Sequence, residues 1–485
     1  MPVLTVIRGK MRTEIPFEGN PTVSQVLIKG QVPVNHPCGG HGVCKKCALK
    51  MEGALSPRGE AEKHLPEGVR LSCICELLGD ACVWVDQETM TAIEHDGIMQ
   101  DVALNPMDGE VGAAVDVGTT TVAVRLLHLR TGKVLGVETM ENPQRQIASD
   151  VIGRMESAMK NGGEVLRKTI CAAVDQMVES LCKKAGVTAC DVRVVTGNTT
   201  MLYLYTGKDP SCLSCAPFEA DCLFDLQAEN TYFPPCMSAF VGADITCAVL
   251  ASGMTKKDHT ALLVDVGTNG EIALWKNGQL LVSATAAGPA FEGGGIQMGC
   301  GSILGAVDKV WAENGKIEYT TIGNGAPVGL CGSGIIDACA ALLDTEMVDE
   351  TGATDEDELI IAPGVFLTDR DIRAIQLAKG AIAAGIKTLM DEQHITAEEI
   401  DVMYLAGGFG SHLNLESAAR IGLIPRELVK KTVVIGNAAL SGAHMMLLNL
   451  PCQDEVRKIA SRARTVNLGG NPAFTENFME CMMFE

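Results

Sequence analysis

The sequence predicts a small α+β domain at the amino terminus and a larger, two-lobed α/β domain after it. Four cysteines at unequal spacing fall in the first part of the chain, and one pentapeptide occurs twice in the remainder. The charge is also divided unevenly, because nearly all of the formal net charge of −21 lies on residues 96–485. These observations indicate two parts with different tasks.

The composition excludes several classes of protein. With 485 residues, 47% of them hydrophobic and 20% charged, the chain can bury sizeable cores and is not intrinsically disordered. Its negative charge repels phosphate backbones, so nucleic acid is not an expected partner. No apolar run approaches the roughly 18–20 residues of a membrane span, and residues 1–10 lack the apolar core of a signal peptide. We expect a cytoplasmic protein without a membrane segment, whose cysteines bind metal or fill cores.

The amino-terminal cysteines are Cys38, Cys44, Cys47 and Cys73, in the pattern C-x5-C-x2-C-x25-C. The first three share a loop with three glycines, in which the backbone can wrap an inorganic group. Three thiolates in one loop and a distant fourth are typical of a [2Fe–2S] site. A structural zinc site that uses Cys75 with the last three is the alternative, but it leaves Cys38 without a purpose.

The cysteines lie among short predicted elements. Strands are expected at 3–7, 12–17, 48–51 and 81–85, and a helix at 24–29. With its cysteine motif, this segment resembles [2Fe–2S] ferredoxins of the β-grasp fold that have a longer cysteine loop. The resemblance covers residues 1–90 and implies that the four cysteines ligate the cluster. Residues 91–110, with scattered acids and Asn-Pro and Asp-Gly pairs, are predicted to be a linker.

The repeated pentapeptide is Val-Asp-Val-Gly-Thr, at 115–119 and again at 264–268. Each copy lies between two strand-like runs, so the predicted unit is strand, tight turn, strand. Asp116 and Asp265, at strand ends, can hold Mg²⁺ directly or through water. Glycine lets the backbone approach a phosphate, whose oxygens amides and hydroxyls can bind. The candidate phosphate contacts are Gly118, Thr119, Thr120, Gly267, Thr268 and Asn269.

A third element is the buried strand at 402–406, which runs into a glycine-rich turn with Gly407 and Gly408. Such a turn permits close approach to adenosine. Together with the two Asp turns, it resembles the actin/sugar kinase/Hsp70 superfamily. That resemblance covers 111–485 and implies ATP with Mg²⁺ bound between two lobes of ribonuclease H-like repeats, approximately 111–258 and 259–485.

Amphipathic helices are expected between these elements, at 146–160, 164–185 and 368–393. Thr368 begins a Thr-x-x-Asp sequence that is close to a capping box. A second such start, Thr-x-x-Glu at 396–399, precedes the glycine-rich strand. The methionines on these helices are interpreted as core residues.

An electron carrier joined to an ATPase resembles the reductive activators of corrinoid proteins. Beyond the cysteines and Asp turns, the similar runs are 195–201, 331–334, 405–410 and 436–439. The resemblance implies ATP-dependent, one-electron reduction of a corrinoid protein from Co(II) to Co(I) for methyl transfer. It also implies an external low-potential electron donor, and it leaves a homodimer open. Members commonly carry an extra domain before the ATPase, which the short linker here does not accommodate.

Several roles stay open at this point. Of the two aspartates, Asp265 is favoured to orient the attacking water. A structural role is at least as well supported as a functional one for Asn198, Cys331 and Ser333. Two other functions remain: an ATP-driven electron donor to another low-potential enzyme, with Cys300 and Cys331 as cluster ligands, and a redox-sensing, ATP-binding regulator.

Overall fold

The structure is a computed structural model. It describes residues 2–8, 11–30, 32, 47–63, 65–85, 99–148, 150–407 and 413–485. Its contacts divide the chain into two compact units. One is Met1–Thr91 with Pro143–Ser149, and the other is Ala92–Asn142 with Asp150–Glu485.

The amino-terminal unit is a five-stranded mixed sheet with one helix. Its elements are β1 (Val3–Arg8), β2 (Met11–Pro16), α1 (Val23–Lys29), β3 (Ala48–Leu55), β4 (Val69–Leu71) and β5 (Leu77–Trp84). The strand order is β2-β1-β5-β3-β4, with β1 antiparallel to β2 and parallel to β5. Leu27 of α1 is fully buried in one core with Leu4, Leu71 and Val83. This is the topology of the predicted β-grasp fold.

The first lobe of the larger unit is built on a six-stranded sheet. Its strands are β6 (Val111–Val117), β7 (Thr121–His128), β8 (Lys133–Glu141), β9 (Val192–Gly197), β10 (Leu226–Ala228) and β11 (Thr231–Phe233). Its helices are α2 (Val151–Asn161), α3 (Glu164–Ala185), α4 (Thr199–Thr206), α5 (Ser211–Ser214) and α6 (Ala243–Ser252). The strand order is β10-β11-β9-β6-β7-β8.

The second lobe repeats this plan and adds to it. Its strands are β12 (Ala261–Val266), β13 (Gly270–Lys276), β14 (Gln279–Thr285), β15 (Ala306–Glu313), β16 (Lys316–Thr321), β17 (Gly329–Leu330), β18 (Leu359–Ala362), β19 (Val365–Leu367), β20 (Val402–Ala406), β21 (Thr432–Gly436) and β22 (Ala463–Thr465). Its helices are α7 (Gly332–Asp344), α8 (Asp369–Glu392), α9 (Leu415–Arg420), α10 (Ala438–Leu448), α11 (Pro451–Arg462) and α12 (Pro472–Glu480).

The main sheets of the two lobes share an arrangement of five strands, β11-β9-β6-β7-β8 in the first and β21-β20-β12-β13-β14 in the second, whereas the sixth strands, β10 and β22, lie at opposite edges. The second has the order β21-β20-β12-β13-β14-β22. In each lobe three consecutive strands form an antiparallel meander, and the first of them also pairs in parallel with a later strand. The two copies of the pentapeptide connect the first and second strands of the two meanders. The repeated sequence therefore marks a repeated fold, as the actin-like class requires.

Helices α6 and α10 join the two lobes in one core. A single hydrophobic cluster contains residues of both helices and of both main sheets, such as Ala114, Ile245, Leu263 and Leu440. The two helices approach closely, since a Cβ at Gly442 would lie 2.3 Å from the backbone oxygen of Cys247. The strands that carry Asp116 and Asp265 thus pack against the same pair of helices, α6 and α10.

The predicted helices at 164–185 and 368–393 are confirmed, and Thr368 forms the full capping box of α8. The helix expected at 146–160 begins later, at Val151, where Asp150 caps it. Met155 and Met177 are buried as predicted, but the core assignment of Met159 is wrong, because that side chain is exposed. No helix in the described part of the chain is long and apolar enough to cross a membrane.

Candidate functional site

A pocket between the two lobes gathers the predicted nucleotide residues. It lies at the carboxyl ends of β6 and β12, where both copies of the pentapeptide turn. Its lining includes Asp116, Gly118, Thr119, Thr120, Asp265, Gly267, Thr268, Asn269 and Gly407. Gly408, expected beside the adenosine, lies outside the described residues. Two turns that are distant in sequence therefore face one space.

Side chains of the first lobe hold the first turn in place. Asn142 donates a hydrogen bond to the Gly118 carbonyl (2.8 Å), and the fully buried Arg154 donates to the Thr119 carbonyl (2.7 Å). Asn198 donates to the Thr119 hydroxyl (3.0 Å) while its own oxygen caps α4. Asn198 therefore holds the turn in place and also lines the pocket, so its structural role is exercised within the site.

Gly407 ends β20 beside the second aspartate. Its φ of 117° lies in a region that side chains other than glycine rarely adopt. An added Cβ would lie 2.4 Å from the backbone oxygen of Val266 and 3.3 Å from a carboxylate oxygen of Asp265. The glycine is required for this close packing.

The pocket is also lined by three carboxylates that the sequence motifs did not identify. Asp244 is in the first turn of α6, Glu271 lies in β13, and Glu292 ends a short helical turn, Ala290–Glu292. Glu271 offered a signal, since it is an acidic residue at the start of the apolar run 272–275, which follows the pentapeptide. Asp244 offered a similar signal, since it is the only charged residue of α6, whereas nothing in the local sequence distinguishes Glu292 from a surface acid.

Burial and mutual repulsion raise the pKa values of these acids. Burial raises the pKa of Asp116 to about 6, against a hydrogen bond from Asn437 that lowers it. The pKa of Asp265 is raised to about 7, mainly by burial and further by the negative charges of Asp116 and Glu292. Burial, then the charges of Asp116 and Asp265, raise the pKa of Asp244 to about 8. The pKa of Glu271 is raised well above its ordinary value, again mainly by burial.

The described lining of the pocket offers oxygen ligands for a metal ion. Among the described residues that line it there is no lysine, arginine or histidine. Nor do three His, Cys, Asp or Glu side chains of the described chain converge closely enough to hold a metal ion by themselves. Mg²⁺ usually takes one or two carboxylates and completes its shell with phosphate and water. The donors therefore fit a magnesium ion that arrives with a nucleotide.

Cys331 and Ser333 lie in the second lobe and bind its own backbone. The Cys331 thiol is 3.3 Å from the Val307 carbonyl, and the Ser333 hydroxyl donates to the Asp308 carbonyl at 3.0 Å. Both side chains are buried, and neither lines the pocket. These contacts favour the structural role for both residues.

Two of the four predicted cluster cysteines meet in the amino-terminal unit. Cys47 and Cys73 are buried, and their sulfur atoms are 3.1 Å apart. Tetrahedral coordination with metal–sulfur bonds of about 2.3 Å separates two thiolates by about 3.7 Å, so a small opening would admit one metal atom. Cys38 and Cys44 lie outside the described residues. The donor chemistry of the two described cysteines fits an iron–sulfur cluster.

Cys75, which the zinc alternative needs, does not join this pair. No group of three metal-binding side chains is found among the described residues, which include Cys47, Cys73 and Cys75. The Cys75 thiol is fully buried, and burial raises its pKa, which favours the neutral form. The geometry therefore supports a core role for Cys75.

A buried ion pair supports the strand that leads to Cys73. Arg70 binds both carboxylate oxygens of Glu62 at 2.9 Å, and the Leu71 amide donates to the same carboxylate. The Ser72 amide donates to the Cys47 carbonyl at 3.0 Å. These contacts hold the backbone that precedes Cys73 and connect it to Cys47.

The fold and the pocket define a two-lobed ATPase of the actin-like class, joined to a β-grasp unit with a pair of buried cysteines. The family model described as the RACo middle region matches residues 111–257. The model described as the C-terminal domain of RACo, the ASKHA domain, matches 259–485. The chain is 34% identical to the corrinoid activation enzyme RamQ of Eubacterium limosum, with 99% of each chain covered. The chain belongs to the RACo family.

Two further proteins are similar over much or all of the chain. One is the [Co(II) methylated amine-specific corrinoid protein] reductase of Methanosarcina barkeri, 27% identical with 72% of each chain covered. The other is a solved structure, the reductive activator for corrinoid, iron-sulfur protein. It is 26% identical, covers 99% of this chain and 98% of its own, and has a TM-score of 0.72.

Family members commonly carry an extra domain before the ATPase, which the short linker of this chain is not expected to accommodate. The region that the family model names the middle region is present here, as the first lobe. The alignment with RamQ, however, spans 590 positions, more than the 485 residues of this chain. RamQ therefore carries stretches that have no counterpart in these 485 residues.

Proposed function

We propose that the protein reactivates a corrinoid protein by ATP-dependent, one-electron reduction of its cobalt from Co(II) to Co(I). The observation that carries this proposal is the 34% identity, over nearly the whole chain, with an enzyme named for corrinoid activation. The reductase and the activator described above support it. The corrinoid belongs to the partner protein and is the substrate of the reaction.

ATP with Mg²⁺ occupies the pocket between the lobes in this proposal. Asp116 and Asp265 hold the magnesium ion directly or through water, and the turns after β6 and β12 bind the phosphates. Because no cationic side chain lines the pocket in its described part, the metal ion supplies the charge that neutralises the triphosphate. Asp265 orients the attacking water, and Gly407 and Gly408 lie against the adenosine.

Cys38, Cys44, Cys47 and Cys73 hold a [2Fe–2S] cluster in the amino-terminal unit. Such a cluster supplies a one-electron carrier. The contact between Cys47 and Cys73 and the network around Glu62 support this assignment, because they fix two ligands that are 26 positions apart in sequence. An external low-potential donor reduces the protein between turnovers.

The need for ATP follows from the reduction potentials. For one electron, each tenfold change in the equilibrium corresponds to about 59 mV. A plant-type cluster near about −400 mV therefore populates the reduced form of a much lower-potential acceptor very little. Binding and hydrolysis of ATP between the lobes can change the conformation that docks the acceptor, and so favour the reduced product.

Anaerobic visible spectroscopy tests the proposal. The protein is mixed with titanium(III) citrate and a Co(II) corrinoid protein of a methyltransferase system, and spectra are taken before and after addition of Mg–ATP. We expect the Co(I) spectrum only after ATP is added. If the cluster bleaches and ATP is consumed while cobalt stays Co(II), the corrinoid protein is not the acceptor.

Two variants make this experiment sharper. Asp265→Ala should keep the cluster spectrum but lose ATP hydrolysis and Co(I) formation, by at least about a hundredfold if it orients the water. Asp258→Ala removes an exposed carboxylate at the end of the first lobe, outside the pocket lining, and serves as the control. Full ATP-dependent reduction by Asp265→Ala would show that the assignment of this residue is wrong.

A further inference from the structure

Glu292 connects the two predicted phosphate turns across the lobes. One oxygen of its carboxylate, Oε2, accepts a hydrogen bond from the Thr120 hydroxyl at 2.7 Å and another from the Thr268 hydroxyl at 2.9 Å. The two hydroxyl oxygens are 3.1 Å apart. Thr120 belongs to the first lobe, whereas Thr268 and Glu292 belong to the second. One carboxylate oxygen thus joins the equivalent turns of the two repeats.

These contacts use the donors that a phosphate would need. A threonine hydroxyl has one proton to donate, and both threonines donate it to the same oxygen of Glu292. Neither hydroxyl can donate to a phosphate oxygen until it turns away from the carboxylate. A carboxylate oxygen and a phosphate oxygen are acceptors of the same kind, so each can replace the other at this point.

Because of the surrounding charges, the Glu292 carboxylate and a phosphate compete for the two threonine hydroxyls. Glu292 lies close enough to Asp265 for its charge to contribute to the raised pKa of that residue. A triphosphate placed beside the turns would repel Glu292, and no cationic side chain among the described lining residues offsets this repulsion. The Glu292 side chain can move away by rotation about its own bonds, without a change in the backbone.

We propose that Glu292 is a positioning residue that bridges the two phosphate turns and is displaced by the phosphates of the nucleotide. It holds the Thr120 and Thr268 hydroxyls together, and binding of Mg–nucleotide breaks this connection between the lobes. The carboxylate thereby lowers the nucleotide affinity. It also makes the connection between the two turns depend on whether a nucleotide occupies the pocket. This inference rests on the proposed function, because it assumes that the pocket binds a nucleotide.

Calorimetric titration with Mg–AMPPNP tests the bridge in three forms of the full chain. Glu292→Ala removes both the charge and the acceptor, whereas Glu292→Gln removes the charge but retains an acceptor oxygen. The ligand must break both hydrogen bonds to Glu292 but regains bonds from the two hydroxyls to its phosphates, so we expect Glu292→Ala to bind about tenfold more tightly than the original chain, which corresponds to about 1.4 kcal/mol. Glu292→Gln should lie between the two.

Three results would overturn the proposal. They are no gain in affinity for Glu292→Ala, a loss of affinity, and an equal gain in both variants, which would be a pure charge effect. Glu219→Ala, which removes an exposed carboxylate in the first lobe, should leave the affinity unchanged. If the original chain itself binds no Mg–AMPPNP, the proposed function fails at the nucleotide step, which is a different outcome from a failure of the bridge.

Hydrogen exchange supplies a second measurement that needs no nucleotide. In Glu292→Ala, peptides that contain 117–121 and 266–270 should exchange faster than in the original chain, because the turns lose their connection. With saturating Mg–AMPPNP the two proteins should exchange alike at these peptides. Identical exchange without nucleotide would contradict the bridge even if the variant binds more tightly. The thermal unfolding temperature checks that the variant is folded.

Discussion

Asn437 donates a hydrogen bond of 2.9 Å to the carboxylate of Asp116, a residue 321 positions earlier in the chain. The same Asn437 side chain accepts from the Leu440 amide and caps α10. One residue of the second lobe therefore fixes both the start of a helix shared with the first lobe and the orientation of the first aspartate.

The hydrogen bond from Asn437 lowers the pKa of Asp116, so its loss should raise that pKa further above about 6. Asn437→Asp keeps a side chain that can cap α10 but cannot donate to Asp116 and adds a negative charge. We expect Mg–nucleotide affinity to fall about tenfold or more. The loss should be larger at pH 6.5 than at pH 8, as calorimetry at both values can measure. Equal affinities for the variant and the original chain would exclude a role for this contact.

Substitutions of Cys73 and Cys75 distinguish an iron–sulfur cluster from the alternative zinc site. Cys73→Ala should abolish the visible absorption of the iron–sulfur cluster and leave Mg–nucleotide binding intact. Cys75→Ala is the matched control two positions away, and it should keep the cluster because its thiol is a core group. Its cost should be limited to roughly 1 kcal/mol of stability from the small cavity. The zinc site would be supported instead if the original chain binds zinc tightly, shows no visible absorption, and loses the zinc in both variants.

The pocket carboxylates predict how stability depends on pH. Because the pKa values of Asp116, Asp265 and Asp244 are raised, to about 6, 7 and 8, the folded protein holds protons that the unfolded chain releases at lower pH. Their contribution to the free energy of unfolding is therefore complete below about pH 4 and is lost as the pH rises towards 8.

Thermal unfolding measures this pH dependence. Asp244→Asn should remove part of the decrease between pH 6 and pH 8, since this amide cannot ionise. Because the proposed Mg–nucleotide site uses the ionised acids, the stabilising effect of Mg–nucleotide should be larger at pH 8 than at pH 6. A variant whose unfolding temperature follows the pH in the same way as that of the original chain would show that Asp244 does not titrate in this range.

Gly407 gives a test of the second lobe that involves no charge. Gly407→Ala places a methyl group against the Val266 carbonyl and forces a side chain into a φ of 117°. We expect a loss of about 1–3 kcal/mol in the free energy of unfolding and weaker nucleotide binding. Gly278→Ala is the control, because it also has a positive φ but no atom lies within 4 Å of the added Cβ. A Gly407→Ala variant as stable as the original chain would contradict the close packing at Asp265.

Much of the architecture follows from local sequence. The repeated pentapeptide predicted two strand–turn–strand units, and Thr368 predicted the start of α8, because turns and helix caps depend on residues within a few positions of each other. The glycine-rich strand end at Gly407 was predicted for the same reason. The boundaries proposed for the two domains, and the roles of the individual site residues, stay predictions.

The pocket could be predicted only in part. Asp116 and Asp265 were found because each lies in the repeated motif. Asp244 and Glu292 were missed because neither lies in the repeated motif, and only the tertiary fold brings them to the same space.

The sequence by itself determined which local structures form and which residue types are available for chemistry, since these depend on neighbours along the chain. Only the tertiary structure decided which carboxylates share one pocket, that Asn437 meets Asp116, and that Glu292 joins Thr120 to Thr268. The physical reason is that burial and charge–charge repulsion act over distances in space. Packing of the two lobes around α6 and α10 sets those distances.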